Sequence, residues 1–184
     1  SEHQNRRSVA HRYVRVGRLF ICAFALLLAS VLPSVDAQTT QTRRVLAIRV
    51  SFPQETPDDE TTSGDGTFDL RTFEEARADY RFAFDTPPHN RSYFSAHLQG
   101  LAHYFQKVSS GRLRIEHNVL PAGENDSYIL TKPLIEYGNG RTRQEINTRI
   151  VELFRDAVAA ADAQEAGALD FSDYDDVIVI HAGL

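Results

Sequence analysis

The chain is 184 residues long, enough for one domain and at most two. It carries 20 basic and 25 acidic residues; taking away the five arginines and two acids of residues 1–37 leaves 15 basic against 23 acidic, a net charge of −8. That balance excludes a nucleic-acid partner held by a basic face, and because the single cysteine is Cys22, residues 38–184 have neither a disulfide nor a thiolate metal site.

Residues 1–37 read as a secretory signal peptide. Arg6, Arg7, Arg12, Arg15 and Arg18 form a basic leader, and an apolar run of 14 residues follows from Leu19 to Leu32. Pro33 and Ser34 break it, and Val35-Asp36-Ala37 supplies the small-x-small exit that a signal peptidase reads. Cleavage is expected after Ala37. A membrane-spanning helix needs about 20 apolar residues, so the run is short for an anchor, and no stable membrane association is expected after cleavage. Ile21 before Cys22 argues against a lipoprotein signal. The expected location is secreted or extracytoplasmic. The chain holds no methionine, even at position 1, and closes on a buried-strand pattern and a turn, so it is expected to be cut at both ends.

Val45 to Phe52 is β-branched and apolar on both faces, which predicts a central strand covered on two sides. Residues 54–67 are polar and turn-forming, a surface loop; within 68–89, Glu74 to Tyr80 suits a short helix. Asn90 or Ser92 caps a helix running to about Val108, with Phe94, Leu98, Leu101, Phe105 and Val108 as its apolar stripe and Gly111 at C′. Strict alternation over 112–119 predicts a half-buried strand with His117 on its apolar side. Ser127 to Leu130 suits a short strand. Thr142 and Glu145 form a capping box opening a helix to about 163, whose apolar face holds Ile146, Ile150, Leu153, Phe154, Ala157, Val158 and Ala161. Asp176 to His181 is the second strand apolar on both faces. The order predicts an α/β domain: a mixed sheet with covering helices, the 45–52 and 176–181 strands adjacent, parallel and central.

Five histidines follow the leader: His89, His97, His103, His117 and His181. His97 and His103 are six residues apart on one helix, about 120° around its axis, too divergent to share a metal. His117 suits a hydrogen-bonded core position. His181 ends a buried strand before Ala182-Gly183, and ligands gather at the carboxyl ends of strands in open α/β sheets; a structural histidine at a strand end is the alternative. Asp170, Asp173, Asp175 and Asp176 cluster before the last strand, and Asp58, Asp59, Glu60 and Asp65 in the early loop. Each set suits either calcium or a solvated loop, and the DxDxDG order is missing from both. Asn90-Arg-Ser and Asn125-Asp-Ser match the glycosylation acceptor pattern.

Several segments, in order, resemble a known family. They are Val45-Leu-Ala-Ile-Arg-Val-Ser-Phe-Pro53, Thr61-Thr-Ser-Gly-Asp-Gly-Thr-Phe-Asp69, Pro88-His-Asn-Arg-Ser-Tyr-Phe94, Tyr104-Phe-Gln-Lys-Val-Ser-Ser-Gly-Arg-Leu113 and Leu169-Asp-Phe-Ser-Asp-Tyr-Asp-Asp-Val-Ile-Val-Ile-His-Ala-Gly183. Together they span nearly all of residues 43–183 and resemble the front half of the catalytic domain of M6-type secreted metallopeptidases, the immune inhibitor A-like family. The resemblance implies the N-terminal subdomain of a zincin, truncated before the active-site helix, and a parent protein that hydrolyses peptide bonds in a protein or peptide substrate. It implies Zn²⁺ in the full-length protein, held by an HExxH helix downstream of the His-Ala-Gly strand, where the glutamate is general base to the metal-bound water. No HExxH stands in these 184 residues, so no zinc ligand or catalytic residue is assigned and this chain by itself is expected to bind no zinc; His181 is the one site-proximal candidate. Many relatives carry an Asp-rich calcium insert before the strand; here Tyr174-Asp-Asp runs directly into Val177. The alternative is a non-catalytic exported binding module with a peptidase-like fold.

Overall fold

The computed structural model describes residues 39–55, 64–78 and 85–183. The signal-peptide and Ala37 expectations, and the loop acids Asp58, Asp59 and Glu60, lie outside these residues. Among the described residues, no helix is long and apolar enough to cross a membrane.

The elements are β1 (Gln41–Ser51), α1 (Phe73–Ala76), α2 (Arg91–Val108), β2 (Leu113–Leu120), β3 (Tyr128–Ile129), α3 (Leu134–Gly138), α4 (Arg143–Gln164), a 3₁₀ turn (Phe171–Asp173) and β4 (Asp176–His181). The α/β class follows directly. β1 is the organising strand, and every pairing it makes is parallel. β2 runs beside Gln41–Ile48 and β3 continues beside Val50–Ser51. β4 runs beside Val45–Val50. Because Val45–Ile48 pair with β2 and β4 at once, β4 occupies the other edge of β1.

The two faces of β1 feed two cores. Leu46, Ile48, Val50 and Phe52 point to one face, where Leu120, Tyr128, Leu130, Leu134 and Tyr137 join Ala157 and Ala161 of α4. Ala47 points to the other, against Val119 and Leu98 of α2, with Phe94, Ile178 and Ile180 packed around them. A strand apolar on both sides needs a layer on both sides, and α2 and α4 are those layers.

The expectation of two central strands needs correction. β1 is central and almost wholly buried from Val45 to Phe52, whereas β4 is half-buried and pairs with β1 alone among the described residues. Two-faced apolarity reports the layers above and below a strand; it carries no information about lateral neighbours. A second correction concerns the end of α2. Ser110 takes the left-handed C′ position (φ 54°), and Gly111 follows it at φ 80°. The Gly111 N–H donates to the Gln106 carbonyl at 2.8 Å and the Ser110 N–H to the Lys107 carbonyl at 3.1 Å, a full Schellman closure.

The cap of α2 is Asn90, whose side chain accepts from the Tyr93 N–H at 3.0 Å. Thr142 and Glu145 make the reciprocal capping box that opens α4. A second box, Thr72 with Glu75, holds the one-turn α1; its helix is shorter than the 74–80 segment suggested. The apolar stripes bury only in part: Leu98, Ala102, Ala157 and Ala161 are inside, while Leu101, Tyr104, Val108, Ile146, Ile150, Val151 and Phe154 are exposed.

Candidate functional site

The parallel arrangement brings the carboxyl ends of β1 and β4 to one end of the sheet, where ligands collect in open α/β folds. His181 is the last residue of β4. Beyond it the Ala182 N–H donates to the Val50 carbonyl at 3.0 Å, so the strand is still anchored where the histidine projects. His181 Nδ1 lies 3.2 Å from the Ala182 carbonyl. A carbonyl only accepts, so Nδ1 is the donor in this contact. The ring stands edge-on to Phe52, 6.2 Å between centroids.

His181 lines a cleft of about 400 Å³. Its walls come from three stretches far apart in sequence: Gly64 and Thr67–Asp69, then Asp85, His89, Tyr93 and Phe94 at the start of α2, then Ile180–Gly183. The second stretch is a hydrogen-bonded cluster. The Tyr93 hydroxyl donates to the Asp85 carboxylate. His89 Nε2 lies 3.2 Å from the same carboxylate oxygen, within ion-pair distance but not aligned as a hydrogen bond. The His89 N–H donates to the Asp69 carbonyl at 2.8 Å. Tyr93 packs against the His89 ring at 4.8 Å and the His97 ring at 4.4 Å, and His97 Nδ1 donates to the Tyr93 carbonyl at 2.9 Å. The Tyr93 hydroxyl, helped by His89, holds the Asp85 carboxyl below the usual carboxylate range. Asp69 is engaged by Arg71 through Nε at 3.0 Å and Nη2 at 2.7 Å.

Sequence reasoning compared His97 with His103 and did not weigh His97 against Tyr93, four residues before it on α2. That spacing aligns two side chains on one helical face and was the available signal; His89 precedes the N-cap Asn90 and lies off the helix. Asp85 gave none, because its role depends on how the 85–90 stretch folds back on α2.

The other histidines sit elsewhere. His103 and His117 line a groove of about 460 Å³ between α2 and β2. His103 accepts from the Gln99 amide at 2.9 Å, and half-buried His117 bonds the Ser95 hydroxyl at 3.2 Å, as a core histidine would.

The acidic cluster before β4 is engaged by the chain. Asp170 Oδ1 accepts from the Ser172 N–H at 2.8 Å and hydroxyl at 2.7 Å. Asp175 accepts from the Arg44 N–H at 2.7 Å. Asp176 holds Arg43 through Nη2 at 2.9 Å and Nε at 3.2 Å. In the early loop, Asp65 accepts from the Thr67 N–H and hydroxyl at 3.0 and 2.6 Å.

Among the described residues, no three His, Cys, Asp or Glu side chains gather as a metal would require. Asp85, His89 and His181 share a cleft without forming such a set. These residues do not fit a zinc or calcium ion, and no chemical step is derived through one.

Opposite the turn after β2 lies a residue that the sequence reading did not single out. Arg49 of β1 is fully buried. Its guanidinium donates to the carbonyls of Gly123 at 2.8 Å and Glu124 at 3.2 Å. Burial pushes its pKa down, opposed by the nearby Glu124. The Glu124 carbonyl also accepts from the Arg91 N–H, and its carboxylate from the Ser92 N–H at 3.1 Å. Arg49 thus fixes the turn that seats the N-terminus of α2, and with it His89 and Tyr93 at the cleft. An arginine inside an apolar strand pattern was the signal. No family model matches this chain, and neither does any curated protein or solved structure.

Proposed function

We propose that the chain is the N-terminal part of the catalytic domain of an exported, zinc-dependent metallopeptidase, acting on a protein or peptide substrate. The observation that carries this reading is a convergence. Three of the segments that resemble the M6-type family, 61–69, 88–94 and 169–183, are separate in sequence, yet among the described residues they supply, with Asp85, the lining of one cleft. In this reading His181 stands beside the site, and the zinc ligands and general base belong to an HExxH helix outside these 184 residues. The contribution of the present residues is to build the cleft wall and orient it from the end of a rigid parallel sheet.

The coding sequence beyond Leu184 tests this. An in-frame HExxH is expected, and the extended protein should cleave casein in a chelator-sensitive way. A frame without HExxH overturns the peptidase reading. Stoichiometric zinc with chelator-sensitive cleavage by the present chain alone would instead overturn the placing of the active site downstream, and would put it among residues assigned here to other roles. Export is tested by N-terminal sequencing of secreted protein, expected to begin at Gln38; a membrane fraction still starting at residue 1 would replace the signal peptide with an anchor.

The exposed apolar faces of α2 and α4 favour a second reading, a non-catalytic exported binding module. Absence of HExxH from the extended frame would select it.

A further inference from the structure

We infer that the cleft at the carboxyl end of β4 is a subsite for a cationic side chain, an arginine or lysine of a bound peptide. The inference rests on the peptidase reading for the peptide and on the cleft for the charge. Asp85 presents a carboxylate whose side chain is 68% exposed, and Tyr93 and His89 favour its ionised form. The aromatic rings of Phe68, Tyr93 and Phe94 line the same space, Phe68 and Tyr93 each standing edge-on to Phe94 at 5.5 and 5.0 Å. No lysine or arginine side chain lines it among the described residues. Of the cations close in sequence to the wall, Arg71 is tied to Asp69 and Arg91 donates through Nε to the Val119 carbonyl at 3.0 Å.

A carboxylate at the mouth and π faces along the wall suit a ligand with an apolar stem and a cationic head. The stem packs along the rings and the head takes the carboxylate. A volume of about 400 Å³ admits one long side chain with room for its backbone to cross the mouth. The rest of the chain beyond residue 37 is acidic, at −8, which steers cationic peptides toward it. An anionic side chain would meet Asp85 head-on and be rejected.

The test uses the exported chain and fluorescently tagged pentapeptides Ala-Ala-Xaa-Ala-Ala, with Xaa arginine, lysine, citrulline, leucine or glutamate. Binding is read by anisotropy at pH 8, where an unperturbed imidazole is neutral. Citrulline matches arginine in shape and lacks its charge. The arginine and lysine peptides are expected to bind about five-fold tighter than the citrulline peptide. Asp85→Asn should bring arginine and citrulline within about two-fold, Asp85→Glu should restore most of the preference, and Asp162→Asn, the same charge change on exposed α4, should leave it intact. Circular dichroism melting of each variant checks that the fold is kept. Equal affinity for arginine and citrulline, no binding of either, or a preference that survives Asp85→Asn overturns the inference. Its failure is separable from that of the peptidase reading: HExxH is read from the coding sequence and does not depend on peptide affinity.

Discussion

At Arg49 a charge sits where the pattern of β1 calls for an aliphatic side chain, and its guanidinium is spent on backbone carbonyls instead of a carboxylate. Replacing it with methionine keeps the stem and removes these two guanidinium hydrogen bonds, leaving the Glu124 carbonyl only the Arg91 N–H and the Gly123 carbonyl only the long bond from the Asp126 N–H, at a cost of about 2 kcal/mol. Arg49→Met should therefore lower the urea midpoint clearly. It should also weaken binding at the cleft, because the turn that seats α2 loosens; an unchanged midpoint would mean that the turn holds itself. Two tyrosines make a pH prediction. Tyr128 donates to Glu165 and Tyr137 to Asp156. Burial first, then the carboxylate partner, pushes both phenols above their ordinary value. A group whose folded pKa is raised contributes stability that is fully present below its unfolded pKa, here about 10, and is lost as pH rises beyond it. The melting temperature should thus fall above about pH 10, and the Tyr128→Phe, Tyr137→Phe double variant should flatten that fall. A double variant with the same alkaline slope would assign the loss to other groups.

Among the elements, α4 depends on contacts that the sequence shows only in part. Its capping box was legible, since Thr-x-x-Glu ahead of an apolar stripe satisfies two orphan N–H groups. Thr142→Ala should cost about 1 kcal/mol; thermal unfolding unchanged within error would move the helix start. Gly140 was not legible. A Cβ there would lie 2.8 Å from the Ile146 backbone nitrogen and 3.0 Å from its Cα. Backbone cannot swing aside as a side chain does, so Gly140→Ala should destabilise by about 1–3 kcal/mol, more than the cap deletion. Denaturant titration of the two variants side by side gives the order. The stripes of α2 and α4 were read correctly as stripes, but periodicity gives the angular position of a residue and not the width of the surface it meets. Ala102, Ala157 and Ala161 are buried with Leu98, while Leu101, Val108, Ile146, Ile150 and Phe154 of the same stripes are exposed.

For the molecule as a whole, the exposed Ile146, Ile150, Val151 and Phe154, with a half-buried β4 that pairs with β1 alone among the described residues, leave apolar surface open to association. A chain of residues 38–184 should self-associate in sedimentation at micromolar concentration, and Ile150→Lys, on the exposed face of α4, should reduce it. A strictly monomeric wild type would show these surfaces to be too dispersed to pair. The sequence by itself determined the α/β class, the position of most elements and the two-sided cover of β1, because hydropathy period and capping chemistry are local signals. It also picked out His181, because a strand end is visible as the point where an apolar run stops. Only the tertiary structure decided that β4 pairs with β1 alone among the described residues, that Asp85, His89 and Tyr93 join His181 around one cleft, and that Arg49 clamps the turn behind them. Each of these depends on which strands lie side by side and how loops far apart in sequence fold back on them, and such long-range pairing leaves no periodic trace along the chain.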